Sequence, residues 1–261
     1  MWVFCCGMFR SASTLQFQIT SRIVKDQGLG QQIGWIDAKR FAEVRKECEL
    51  NSGFKVIKVH LCTNEIAETF HSNEAIGIYT FRDLRDVYAS YMSQRMKPFH
   101  YLWNEGLLDT CLESHRWWTS LPHVLVSHYE DIVADLPGEV QRIANHLGVT
   151  LNGETCEQIA SDYSIEHQQK RIHQFKQTLL KTERNPDDHR EIVDYHDENS
   201  LLHMNHIHSA KTGRWQEELT DTEAATIVNY VKGWCALNQY PAAYFLRDEK
   251  ENTAATAILP I

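Results

Sequence analysis

CCGMFRSASTL, Cys5–Leu15, joins a short apolar run to a turn built of glycine, arginine, serines and threonine. Laid on the phosphate-loop pattern G-x-x-x-x-G-K-S/T, Gly7 takes the first glycine, Ala12 the second, Ser13 the lysine and Thr14 the last position. An NTPase holds its β- and γ-phosphates with that lysine, so its loss argues against ATP or GTP hydrolysis. Small residues, hydroxyls and Arg10 remain at the start of a helix, which is a ready-made anion site. The expectation is a phosphorylated ligand in a protein that is not an ordinary NTPase. The plainer alternative is a strand-to-helix turn that happens to be rich in Ser and Thr.

Outward from this loop the chain alternates strand and helix patterns. Four nearly continuous apolar runs, 2–6, 54–60, 75–81 and 123–127, read as strands covered on both faces. Helical patterns separate them, which predicts an α/β fold on a mostly parallel sheet. After Asp135, Leu136, Val140, Ile143, Ala144 and Leu147 form one stripe that stops at Gly148, a left-handed terminator. Thr220 and Glu223 form a capping box, with Leu219 and Ala224 placed as a hydrophobic staple. Two segments fit the sheet poorly. Residues 94–121 carry Phe99, Tyr101, Trp103, Trp117 and Trp118 without a strand pattern, and 162–212 is polar with one helix expected near 165–181. Both are expected to be lid or acceptor segments of a single domain, 1–261.

Composition narrows the class. The net charge of −9 argues against binding nucleic acid or an anionic membrane surface. Seven cysteines form no C-x-x-C pair and several sit in apolar runs, so they read as reduced core thiols. No apolar run approaches the ~18 residues of a membrane span, and no signal peptide is evident, so a soluble cytoplasmic protein is expected. Nothing suggests a metal. Oligomeric state is not legible.

Two further stretches carry chemistry. In 78–93, IYTFRDLRDVYASYMS, a strand ends at Phe81, Arg82 follows it, and a helix begins near Asp83. Open α/β sheets bind ligands beyond the carboxyl ends of their strands, so Arg82 is expected at the same edge as the loop. Its alternative, and the preferred reading for Arg85, is an ion pair with Asp83 or Asp86, of little energetic weight if exposed. In IKVHL, 57–61, a strand end presents Lys58 and His60. A lone histidine there is more often a surface or hydrogen-bonded residue than a catalyst; the two neighbouring ligand-edge segments bring the functional role level with that reading.

Together these segments resemble the sulfotransferase family, whose donor is 3′-phosphoadenosine 5′-phosphosulfate. Phe9-Arg10-Ser11-Ala12-Ser13-Thr14 is similar to the family's P-K/R-S-G-T/S-T loop, which binds the 5′-phosphosulfate. Arg82, with Ser90 eight residues on, matches the element that holds the 3′-phosphate. Lys58 and His60 match the I-K-T/V-H-L strand, whose histidine is the general base in cytosolic members. Tyr129-Glu130-Asp131 resembles the Y-E-D element near the adenine, and Lys211-Thr212-Gly213-Arg214-Trp215 the late G-x-W segment. The resemblance depends on five ordered elements and departs from the family at three points. Ala12 replaces the loop glycine, Leu15 replaces an adenine-stacking tryptophan, and His208-Ser209-Ala210 stands where cytosolic members have Arg-Lys-Gly.

The resemblance implies a three-layer, P-loop-like fold and in-line sulfuryl transfer to a hydroxyl or amine of a small-molecule acceptor, without metal. His60 is the implied base, at an ordinary imidazole pKa near 6.5, while Arg10 and Lys58 stabilise charge on the leaving phosphate. Ser11, Ala12, Ser13, Thr14, Arg82, Ser90, Tyr129, Ser209 and Lys211 are the implied donor-binding residues. A small-molecule or nucleotide kinase and a non-catalytic nucleotide-binding domain are the alternatives.

Overall fold

The computed structural model describes residues 1–179, 197, 199–203, 207 and 211–247. Five parallel strands form one sheet in the order β2-β3-β1-β4-β5. They are β1 Trp2–Gly7, β2 Gly30–Trp35, β3 Phe54–Lys58, β4 Ala75–Phe81 and β5 Val124–His128. The expected strands are all present, with one shortened: β3 stops at Lys58 and leaves Val59 and His60 beyond it. β2 was not expected. Its sequence, GQQIGW, lies at the sheet edge with Gln31, Gln32 and Trp35 exposed, so no continuous apolar run announces it.

Two compact units share the chain. The first, Met1–Phe81 with Asp109–Thr212, holds the whole sheet. Helix α1, Ser13–Asp26, carries the chain from β1 past β3 to the edge strand β2. Helices α2, Phe41–Glu47, and α3, Asn64–His71, bring it back. Right-handed crossovers in opposite directions must lie on opposite faces, and the packing agrees. Val3, Cys5 and Val56 share a core with Phe17 and Ile23 of α1, Val140 and Ile143 of α8 (Leu136–His146) and Ile159 of α9 (Gly153–Asp162). On the other face, the Phe4 ring lies 5.2 Å from Phe41 and from Phe70 and 6.2 Å from Trp118 of α6, Leu107–Thr119. Chain leaving β1 and chain leaving β3 therefore turn to opposite faces, and the crevice between such strand ends is where this architecture takes ligands.

Several local signals hold. The stripe after Asp135 is α8, and Gly148 ends it at φ 72°. The expected helix near 165–181 is α10, Ile165–Leu179, as far as it is described. All seven cysteines are free thiols. The aromatic residues of 94–121 divide by burial. Trp118 is fully buried sheet core, whereas Trp117 is 42% and Tyr101 41% exposed.

The second unit, Arg82–Leu108 with Gly213–Ile261, is helical where described. It contains α4 Leu84–Arg95, α5 Phe99–Asn104, α11 Trp215–Glu218 and α12 Asp221–Asn238, and the last begins with the expected Thr220–Glu223 capping box. The Tyr88 hydroxyl donates to the Phe99 carbonyl at 2.7 Å, and Trp103 meets Tyr230 edge-on at 5.4 Å. No helix among the described residues is long and apolar enough to cross a membrane.

Candidate active site

The turn after β1 is shaped by close approach. A Cβ on Gly7 would lie 2.4 Å from Thr80 Oγ1 and 2.7 Å from the Thr80 carbonyl, so only glycine fits. Ser11 is buried, and its hydroxyl lies 2.7 Å from the Met8 carbonyl and 3.0 Å from that of Thr80. That hydroxyl holds the loop to β4, which leaves the backbone of this segment for a ligand. Arg10 and Ala12 both adopt left-handed backbone, at φ 61° and 71°. Ala12 is the N-cap of α1, no side chain caps the helix, and its first turn carries no acid. An N-terminus with no side-chain cap and no acid of its own in the first turn presents N–H groups and positive potential outward.

Next to it, at the end of β3, stand Lys58 and His60. Cys5 of β1 is the register partner of Lys58, so the two strand ends are adjacent. Lys58 is only 5% exposed, and among the described residues no carboxylate pairs with it. Its Nζ lies 3.2 Å from His60 Nε2. Burial brings this ammonium down to about 8. His60 Nδ1 lies 3.2 Å from the Gly7 carbonyl. A carbonyl only accepts, so Nδ1 carries the proton and Nε2 holds the lone pair. Burial, then the Lys58 charge, push His60 down to about 3, while its bond to Gly7 opposes them. The sequence-based expectation of an ordinary imidazole is corrected: His60 is neutral throughout the physiological range and lies outside the strand.

Across the sheet, β5 ends at His128 and Tyr129 opens α7, Tyr129–Ala134, with its side chain buried. Glu130 pairs with His128 at 2.5 Å. The strand order therefore places the β3 end and Tyr129 on opposite sides of the loop after β1.

In the second unit, Arg82 follows directly on β4 and is 4% exposed. Its Nη2 donates to Asp86 Oδ2 at 3.1 Å. Asp86 also accepts from the Gly213 and Trp215 amides, at 2.8 and 3.0 Å, so one carboxylate ties Arg82 to the G-x-W segment. Ser90 is buried on α4. Arg85 forms the expected ion pair, with Asp83 at 2.6 Å, but the pair is buried and not exposed. Trp215 stacks on that guanidinium at 4.1 Å. Lys211 is exposed, and Ser209 lies outside the described residues.

Residues 16–239 match the family described as the sulfotransferase domain. The chain belongs to the sulfotransferase family. Solved structures share its fold at low identity. Retinol dehydratase with retinol and PAP is 18% identical, with 90% of this chain and 81% of that one covered at a TM-score of 0.60. Retinol dehydratase with androsterone and the inactive cofactor PAP is also 18% identical, covering 97% and 83% at 0.61. Mouse sulfotransferase SULT7A1 with PAP is 15% identical, covering 88% and 83% at 0.58.

In this sulfotransferase the family match begins just past the loop, so the loop's fitness for an anion depends on its own geometry. The first unit brings together the uncapped α1 terminus, the buried ammonium of Lys58 and a neutral imidazole with a fixed tautomer. The loop has Ser13 where the pattern has a lysine, and Lys58 at the end of β3 is a buried cation beside His60. Sequence reasoning missed two features. One is the triple acceptor role of Asp86. The other is the grip of Trp118 on His60, where the indole Nε1–H donates to the His60 carbonyl at 3.0 Å. The i, i+4 spacing of Ser114 and Trp118 puts them on one helix face, but no local pattern says which carbonyl they meet.

Proposed function

We propose that this sulfotransferase moves a sulfuryl group from 3′-phosphoadenosine 5′-phosphosulfate to a hydroxyl or amine of a small-molecule acceptor, with His60 as general base. Lys58 carries the reading: a buried ammonium with no carboxylate partner among the described residues, beside a helix terminus with no side-chain cap, suits a bound anion. The donor supplies the sulfuryl group and departs as adenosine 3′,5′-bisphosphate. His60 takes the acceptor proton on Nε2, because Nδ1 is engaged with Gly7. Lys58, Arg10 and the amides of Ser11–Thr14 oppose the charge that grows on the leaving 5′-phosphate. The family resemblance assigns the 3′-phosphate to Arg82 and Ser90, with Ser209 and Lys211, and the adenine side to Tyr129. Retinol and androsterone, the apolar small molecules bound in two solved structures of this fold, support a small apolar acceptor here.

Thermal unfolding with adenosine 3′,5′-bisphosphate and with ATP tests the donor. The bisphosphate at a hundred times its Kd should add about 2.7 kcal/mol, and ATP less. His60→Ala should lower kcat about 10²–10⁴-fold on a labelled donor and an acceptor panel, with bisphosphate affinity unchanged. Stabilisation by ATP alone would overturn the donor assignment, and full turnover by His60→Ala would overturn the base.

A further inference from the structure

His60 has two anchors, and only one of them belongs to the loop. Its ring is held at Nδ1 by the Gly7 carbonyl, 3.2 Å away. Its main chain lies past the end of β3, where the last bond to the sheet is from Val59 N to the Cys5 carbonyl at 3.1 Å. What holds the next peptide comes from α6. Trp118 Nε1–H donates to the His60 carbonyl at 3.0 Å, and Ser114 Oγ approaches the same oxygen at 3.4 Å. The Trp118 ring is fully buried, with its centroid 6.2 Å from Phe4 and 6.0 Å from Phe70. Phe4 lies on β1, the strand that ends in the loop. One rigid side chain thus references the His60 main chain to the strand that delivers Gly7, Arg10 and the α1 terminus.

We propose that Trp118, seconded by Ser114, is a positioning residue that fixes His60 for proton transfer. The inference rests on the reading of His60 as the base. An indole has one donor, and here it is spent on a carbonyl outside any ladder, where a ring chosen only to fill the core would have no need of it. Without that bond only the longer Ser114 contact, at 3.4 Å, holds the His60 carbonyl on this side. The ring then drifts from Gly7, and Nε2 loses both its fixed tautomer and its aim. Misplacement of a reacting group by about 1 Å costs on the order of 10²-fold in rate.

Trp118→Phe keeps most of the ring and removes the donor. Long-range ¹H–¹⁵N spectra of the ¹⁵N-histidine-labelled protein, assigned through His60→Gln, give the deciding readout and need no acceptor. The wild type should show His60 only as the Nδ1–H tautomer, and Trp118→Phe a mixture of tautomers, with bisphosphate affinity within about twofold. An unchanged tautomer in Trp118→Phe overturns the proposal. In turnover, Trp118→Phe should lower kcat about ten- to a hundredfold with little change in donor KM, and this loss should vanish in a His60→Ala background. An equal loss in both backgrounds means a general packing role and also overturns it. Ser114→Ala makes the same test without touching the core: it should act in the same direction, about two- to threefold, and also only while His60 is present. Full turnover by His60→Ala would instead sink the base assignment, while the tautomer spectra still report on the anchoring.

Discussion

Lys58 Nζ and His60 Nε2 lie 3.2 Å apart, burial lowers both groups, and the Lys58 charge lowers His60 further. A lysine in water titrates at 10.5; buried at the end of β3 it falls to about 8. The unfolded chain therefore binds more protons than the folded one between about pH 8 and 10.5. Stability of the ligand-free protein should rise with pH across that window, by roughly 3 kcal/mol in total. Chemical denaturation at a series of pH values measures it. Lys58→Met should be more stable at pH 7, lose the rise, and bind bisphosphate more weakly. A flat profile in the wild type would mean that Lys58 has a counter-charge after all. The same burial leaves His60 with a lone pair at any physiological pH, so an acid limb of activity near 6.5 should not come from this group in the free enzyme.

At the scale of elements, the loop between β1 and α1 combines one position that demands glycine with one that would prefer it. Gly7 is required because Thr80 lies against it. Ala12 holds φ 71° at the helix N-cap, a conformation that costs an L-residue about 1 kcal/mol. The sequence shows this as a missing glycine in a family pattern, and the structure shows the alanine in the left-handed conformation that glycine takes without strain. Ala12→Gly should stabilise the protein by about 0.5–1 kcal/mol in equilibrium unfolding. Equal or lower stability would mean that the methyl has packing contacts worth more than the strain. Other elements were legible for plain local reasons. α8 shows as a one-sided apolar stripe ended by Gly148, and α12 as a capping box. β2 was not legible, because an edge strand half in water has no need of apolar residues on both faces. Arg85 was read as an ion pair and is one. Its burial, and the stacking of Trp215 on it, depend on chain more than a hundred residues away.

At the scale of the whole molecule, acid should be the vulnerable direction. His115 is buried against Tyr79 and Phe81, with ring centroids at 5.4 and 4.9 Å, and burial holds it at about 3. His60 is held at about 3 as well. Both folded values lie below the unfolded 6.5, so the unfolded chain takes up protons that the folded one refuses as pH falls from about 6.5 toward 3. Each imidazole represents roughly 4–5 kcal/mol of linkage, and the pair is comparable to the stability of an ordinary domain. Circular dichroism should show cooperative unfolding before pH 3, and His115→Gln should move its midpoint to lower pH. A midpoint unmoved by that change would place the acid sensitivity on other groups.

The sequence by itself determined the parallel α/β sheet, the turn at the end of its first strand, and the family. These are written in apolar runs, turn residues and short spacings, which neighbouring residues impose on one another. Only the tertiary structure decided that Trp118 is core and holds the His60 carbonyl, that Arg82 shares Asp86 with the amides of Gly213 and Trp215, and that Lys58 is buried with no carboxylate partner among the described residues. Each of these depends on which distant segment arrives beside a group and on how much water is removed from it. Burial and long-range partnership belong to the packed molecule, and no local period in the chain encodes them.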